Sequence, residues 1–153
     1  MKDPATITML QDLGGFILAG AKGPGDVKKM VQMICGARGW RWVGVYKLVR
    51  GELVIIAGSD DEAVCYPQFP ATQGLCGAAV ESRETIVVND VHKDPRYLPT
   101  FHSTKSEIVV PIISKSDRVV GVITAESEKL KAFTKEDREV LERVAMLMGQ
   151  AFK

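Results

Sequence analysis

The chain has little cysteine, no long apolar run and no excess of either charge, and each shortage removes a class of protein. Its three cysteines, Cys35, Cys65 and Cys76, form an odd set with no Cys-x-x-Cys pair among 153 residues. Such a set supplies neither a disulfide framework nor a zinc knuckle, so no metal is expected, and it fits a reducing, cytoplasmic compartment. The longest apolar stretches, such as 108–113, fall far short of the roughly 20 residues of a membrane-spanning helix. The start, Met-Lys-Asp-Pro, leads into apolar residues interrupted at Asp12, so the apolar core of a signal peptide is missing. Lys and Arg total 20 against 19 acidic residues. That balance leaves no electrostatic footprint for nucleic acid or an anionic membrane.

What remains is the composition of one folded domain spanning 1–153. Hydrophobic residues make up 46% and charged residues 25%, enough to bury a core without covalent staples. Ile7, Leu10, Leu13, Ile17 and Leu18 form a helical stripe over 5–19, weakened at Gly14-Gly15. The run 20–25, Gly-Ala-Lys-Gly-Pro-Gly, breaks it. Asp26 is placed to cap a second helix with Val27, Met30, Val31 and Ile34 on its apolar face, closed by Gly36 and Gly39.

Residues 41–49 and 52–57 read as a hairpin turning at Arg50-Gly51. Residues 58–72 read as an irregular crossing segment, 74–81 as a short helix of small residues, and 85–89 as a strand. The loop 90–105, with Pro95 and Pro99, is long enough to be functional. Two buried-type strands follow it, 107–113 and 119–126, linked by the polar turn 114–118, so it reads as an ordered lid. Thr134 caps the last helix, with Asp137 three residues on in capping-box spacing. Val140, Leu141, Val144, Leu147, Met148 and Ala151 supply that helix's face. Hairpin-joined strands between terminal helices predict an α+β class with an antiparallel sheet.

Six stretches occur in an order that resembles GAF domains across essentially the whole chain: Gly74-Leu-Cys-Gly-Ala-Ala-Val, Ile86-Val-Val-Asn-Asp-Val, Asp94-Pro-Arg-Tyr, Lys105-Ser-Glu-Ile-Val-Val-Pro111, Val120-Gly-Val-Ile and Ala132-Phe-Thr-Lys-Glu-Asp137. The resemblance implies a GAF/PAS-like antiparallel sheet, with the N- and C-terminal helices on one face and a ligand-pocket layer of loops and short helices on the other. Within that family, Trp42-Val-Gly-Val-Tyr46, Gly74-Leu-Cys-Gly77, Asp90-Val-His92 and Ser106-Glu-Ile-Val-Val-Pro111 are similar to the free methionine-(R)-sulfoxide reductases. Those enzymes attack with a cysteine of the long loop and resolve the sulfenic acid with a second.

At the attacking position this chain carries Thr100. Threonine has no oxidation ladder to sulfenic acid and back. Cys65 lies one residue out of register with the resolving cysteine, and Cys76 matches a third. The family's paired aspartates correspond to Thr124 and Glu126, and Glu107 matches its amine-gripping glutamate. Of the cyclic-nucleotide GAF signature only Phe133 and Asp137 remain, and no cysteine precedes a histidine as bilin attachment requires. His92 or His102 could ligate haem, but isolated loop histidines are normally solvated or capping; no cofactor is expected.

Strand pairing through a turn at 116–117 brings Glu107 beside Glu126, with Thr124 on the same face as Glu126. The expected ligand-binding residues are therefore Glu107, Glu126, Thr124, Thr100, Cys76, Trp42, Tyr46 and Asp90, with no catalytic residue among them. Trp40, Trp42 and Tyr46 alternate on one strand face, as core or as pocket wall, and Asp90 and His92 can instead simply brace the loop. The last helix is apolar nearly three-quarters of the way round, and exposed apolar surface of that kind predicts a homodimer through the terminal helices. The expected function is a non-catalytic GAF sensor for a small polar, amine-bearing ligand. The alternative is a divergent methionine sulfoxide reductase using Cys65 or Cys76.

Overall fold

The computed structural model describes residues 3–152; Met1 and Lys2, where the reading of the N-terminus begins, lie outside them. Two helices open the chain, α1 (Pro4–Leu18) and α2 (Pro24–Arg38). Strands β1 (Trp42–Val49), β2 (Glu52–Gly58) and β3 (Gln68–Pro70) follow, then helix α3 (Gly74–Ser82) and strand β4 (Ile86–Val88). After a short 3-10 turn at Val91–Lys93 come β5 (Ser106–Ile113), β6 (Val119–Ser127) and helix α4 (Lys135–Ala151). The strands form one sheet in the order β3-β2-β1-β6-β5-β4, and every neighbouring pair is antiparallel.

Side-chain alternation divides the core between the two faces. Ile108, Val110 and Ile112 of β5 join Val43 and Val45 of β1 beneath the helices. Val109 of β5 and Trp42 and Tyr46 of β1 point the other way, under α3 and the 90–105 loop. The hairpin turn adopts positive φ at both Arg50 (50°) and Gly51 (78°), the mirror-image turn whose twist matches paired strands.

One cation ties the three large helices together. Arg38, at the end of α2, donates to Thr6 Oγ1 of α1 (2.9 Å) and to Glu136 Oε1 (3.3 Å) and Asp137 Oδ1 (2.5 Å) of α4. Asp137 also closes the expected capping box, accepting from the Thr134 N–H at 2.8 Å while Thr134 Oγ1 accepts from the Asp137 N–H at 3.2 Å.

Several local expectations need correction. Asp26 is not the N-cap of α2; Gly23 is, and Asp26 accepts its N–H from inside the first turn at 3.3 Å. Gly36 lies within α2, which ends at Gly39 in the left-handed conformation. The crossing segment contains β3, an edge strand too short to give a periodic signal. Trp40 precedes β1 and packs on the helix side against Phe133, opposite Trp42 and Tyr46. On α4, Val140, Leu141, Val144, Ala145 and Met148 are all buried, so the apolar surplus shrinks to an exposed Met146 and a half-buried Leu147, Ala151 and Phe152.

Two helical glycines give one substitution opposite signs. A Cβ on Gly149 would lie 2.1 Å from the Ile113 carbonyl oxygen, where α4 meets β5. Gly14, within α1, has nothing within 4 Å of that position. Gly149→Ala is expected to lower unfolding free energy by roughly 1–3 kcal/mol through overpacking. Gly14→Ala should raise it by up to about 1 kcal/mol through helix propensity; urea unfolding followed by circular dichroism measures both.

Candidate functional site

The registers of the central strands put two acids side by side. Glu107 of β5 pairs directly with Glu126 of β6; Glu126 also faces Trp42, and Glu107 faces Val88. Directly opposed residues share a face and hold their Cβ atoms within about 5.5 Å. Both glutamates are buried, 2% and 0% exposed. Burying a charge is costly unless it is paired and hydrogen-bonded, and here the provision is incomplete. Thr124 Oγ1 donates to Glu107 Oε2 at 2.7 Å, and Thr104 Oγ1 to Glu126 Oε1 at 2.7 Å. Glu126 Oε2 has no hydrogen-bond partner, and neither carboxylate forms a salt bridge among the described residues.

Burial and the neighbouring Glu126 charge push the Glu107 carboxyl well above its ordinary range, against the Thr124 hydroxyl. Burial pushes Glu126 up to about 7, opposed by the hydroxyls of Thr100 and Thr104 and by the charge of Arg41. Two unneutralised carboxylates in so dry a place cannot both ionise readily. Burial and these two acids also raise the Cys76 thiol well above its ordinary value. A thiol held neutral is a poor nucleophile. The Tyr46 phenol is raised by the same causes and stays a neutral hydrogen-bonding group.

Glycines let the aromatic floor lie close to the sheet. A Cβ on Gly44 would come within 2.0 Å of the Trp42 ring and one on Gly58 within 2.7 Å, so these paired glycines make room for the indole. Its Nε1 is buried without a partner. Phe101 of the long loop packs edge-on against Trp42, with ring centroids 5.1 Å apart. The Arg41 guanidinium lies over the Phe101 ring at 5.1 Å and pairs with Asp60 and Glu62 at 3.0 and 2.8 Å.

The 90–105 loop is ordered by its own contacts. Val91 N–H donates to the Lys105 carbonyl, and Cys65 N–H donates to the Thr100 carbonyl, both at 2.9 Å. Gly74 has φ of 74°, a conformation that favours glycine, and a Cβ there would press on Leu98 of the loop at 3.1 Å. Tyr46, Tyr66, Cys76, Thr100 and Glu107 enclose only about 10 Å³, room for about one water at most. The loop lies closed over the Glu107 side of the acid pair.

Seven of the eight expected residues meet here: Glu107, Glu126, Thr124, Thr100, Cys76, Trp42 and Tyr46. Asp90 does not. Its side chain caps the 3-10 turn by accepting the His92 N–H at 3.1 Å, the bracing role an aspartate takes before a short helix. Thr104 and Phe101 were not expected, because no periodicity extends from a strand into an irregular loop. His92 and His102 are both exposed, and His102 Nε2 lies 3.8 Å from Cys65 Sγ. Among the described residues no cluster of three metal-ligating side chains occurs, and no helix is long and apolar enough to cross a membrane.

The family model described as "GAF domain" matches residues 27–153. The free methionine-R-sulfoxide reductase of Saccharomyces cerevisiae is 35% identical over 111 residues, 72% of this chain and 62% of that protein. GAF domain-containing protein A of Dictyostelium discoideum is 30% identical over 70% of this chain and 66% of that protein. The chain thus spans slightly under two thirds of these relatives. The structure of a free methionine-R-sulfoxide reductase from Neisseria meningitidis in complex with its substrate superposes with a TM-score of 0.88 at 28% identity, covering 99% of this chain and 92% of that one.

The acid pair sets a pH signature. Folded pKa values raised above the unfolded ones mean that the native state holds extra protons between about pH 4.5 and 7. Stability from this pair is therefore full below the unfolded carboxyl range and falls as pH rises through 7. For Glu126 alone the loss is on the order of 3 kcal/mol. Melting temperature is expected to fall from pH 5 to pH 8, and Glu126→Gln should flatten that slope and melt higher than the parent at pH 8.

Proposed function

The chain belongs to the GAF domain family, and from that premise we propose that it is a non-catalytic, small-molecule-binding sensor domain whose ligand carries an ammonium group. The observation that carries the proposal is the buried Glu107–Glu126 pair with one carboxylate oxygen unpartnered and no salt bridge to either acid among the described residues. An ammonium seated between the two would supply the missing charge and donors at once, through charge-assisted hydrogen bonds. Thr124 and Thr104 orient the two carboxylates, Trp42 and Tyr46 offer an apolar wall for the rest of the ligand, and the loop carrying Thr100 and Phe101 closes over it. Thr100 supports a binding role over a reductive one, since it stands where the resembling reductases attack with cysteine. The neutral, enclosed thiol of Cys76 is no substitute. Three free cysteines suit a reducing, cytoplasmic setting.

Output from such a domain would pass through association. Exposed Ile7 and Leu18 on α1 and Met146 on α4 are apolar groups of the terminal helices suited to a homodimer contact. Light scattering on Met146→Glu should then report a loss of dimer.

A second reading rests on Cys65. It is exposed, its sulfur lies 3.8 Å from His102 Nε2, and its N–H is bonded to the lid at Thr100. A thiolate there could attack the sulfoxide sulfur, releasing methionine and leaving a Cys65 sulfenic acid for an external thiol to reduce. Incubation with free methionine-(R)-sulfoxide and dithiothreitol separates the two. The sensor reading expects calorimetric binding at pH 8, weakened at least about tenfold by Glu107→Gln or Glu126→Gln, and no methionine release. Methionine release abolished by Cys65→Ser would establish the reductase instead.

A further inference from the structure

A second cavity lies on the opposite face of the sheet, and the polar site does not use it. It measures about 660 Å³, within the range of small-molecule sites. The α1–α2 connection and the C-terminal end of α4 flank it, and the far part of the β1–β2 hairpin forms its floor. Val49, Val54, Ile56, Val120 and Phe152 give it an aliphatic and aromatic lining. None of these five is fully buried, and Val49 is 40% exposed.

The ionisable side chains that line it are Lys22 and Lys47, one from the helix connection and one from β1. Both are exposed, and neither ammonium group has an acidic partner among the described residues, although the Lys22 backbone N–H donates to Asp26 Oδ2 at 3.2 Å. A lysine can lay its methylene stem along an apolar wall and keep its ammonium at the mouth. Among the described residues that line the trough two are cations and none is an anion, which favours a molecule of matching polarity. Polar solutes gain nothing from the floor, and cationic amphiphiles are repelled at the mouth.

We propose that this trough is a second ligand site that takes a single-chain carboxylate amphiphile of the fatty-acid class, its tail on the hairpin floor and its carboxylate between Lys22 and Lys47. Strand β1 connects the two sites. Val45 and Lys47 line the trough, whereas the side chain of Tyr46, between them, lines the polar site on the other face. The proposal stands independently of the polar site's ligand.

The test uses the full chain, stripped of carried-over lipid on a hydrophobic resin and titrated with dodecanoate below its micelle concentration. Dodecanol and dodecyltrimethylammonium serve as head-group controls, and octanoate as the chain-length control. Dodecanoate should bind saturably at 1:1, more tightly than dodecanol, with no binding of the trimethylammonium. Affinity should drop severalfold for each methylene removed. The double variant Lys22→Ala/Lys47→Ala changes only exposed side chains. It should weaken dodecanoate roughly three- to tenfold while leaving dodecanol unchanged. Ile56→Glu should abolish both, with circular dichroism confirming its fold. Absence of saturable dodecanoate binding overturns the proposal, as does equal affinity for all three head groups. So does a dimer whose β1–β2 hairpin amides are protected from hydrogen exchange while dodecanoate fails to bind, because the trough is then covered by a second copy.

Discussion

Two carboxylates held on adjacent strands, in direct register and out of water, constrain everything around them. Glu107 and Glu126 repel when both are charged, and neither forms a salt bridge among the described residues. The fold tolerates the pair because hydroxyls from Thr124 and Thr104 satisfy one oxygen of each and because the acids hold protons to unusually high pH. Carboxylates held this far from their ordinary range cluster at functional sites. Burial, reinforced by the same two acids, raises the Cys76 thiol and the Tyr46 phenol as well.

The lid answers to that pair as well. Thr104 brings its hydroxyl to Glu126, while Phe101 packs on Trp42 and carries the Arg41 guanidinium over its ring. Closing the loop excludes water and strengthens each interaction inside, at the expense of leaving almost no free volume. The helix face has a different character: Arg38 draws α1, α2 and α4 together near one end of the sheet, while the other end leaves the β1–β2 hairpin partly uncovered between Lys22 and Phe152.

Much of this was legible in the residues. The capping box at Thr134 and Asp137, the hairpin at Arg50-Gly51 and the strand alternation through Ile108–Ile113 are local signals, decided by neighbours in the chain. Counting back from the turn near residue 116 was enough to set Glu107 beside Glu126, because an antiparallel hairpin fixes its own register. The local signals that failed were those with too few residues to show a period, such as β3, or with several solutions of equal chemistry, such as the cap supplied by Asp26.

By itself, then, the sequence determined the α+β architecture, the family resemblance and the meeting of Glu107, Thr124 and Glu126, since each depends on periodicity and short-range pairing. Only the tertiary structure decided that Asp90 braces the loop away from the pocket, that Trp40 and Trp42 part to opposite faces and that Thr104 serves Glu126. It alone revealed the trough beside Lys47. Those outcomes depend on how an irregular loop and three helices settle on a twisted sheet. Such packing is set by contacts between residues distant in the chain, and no local pattern encodes it.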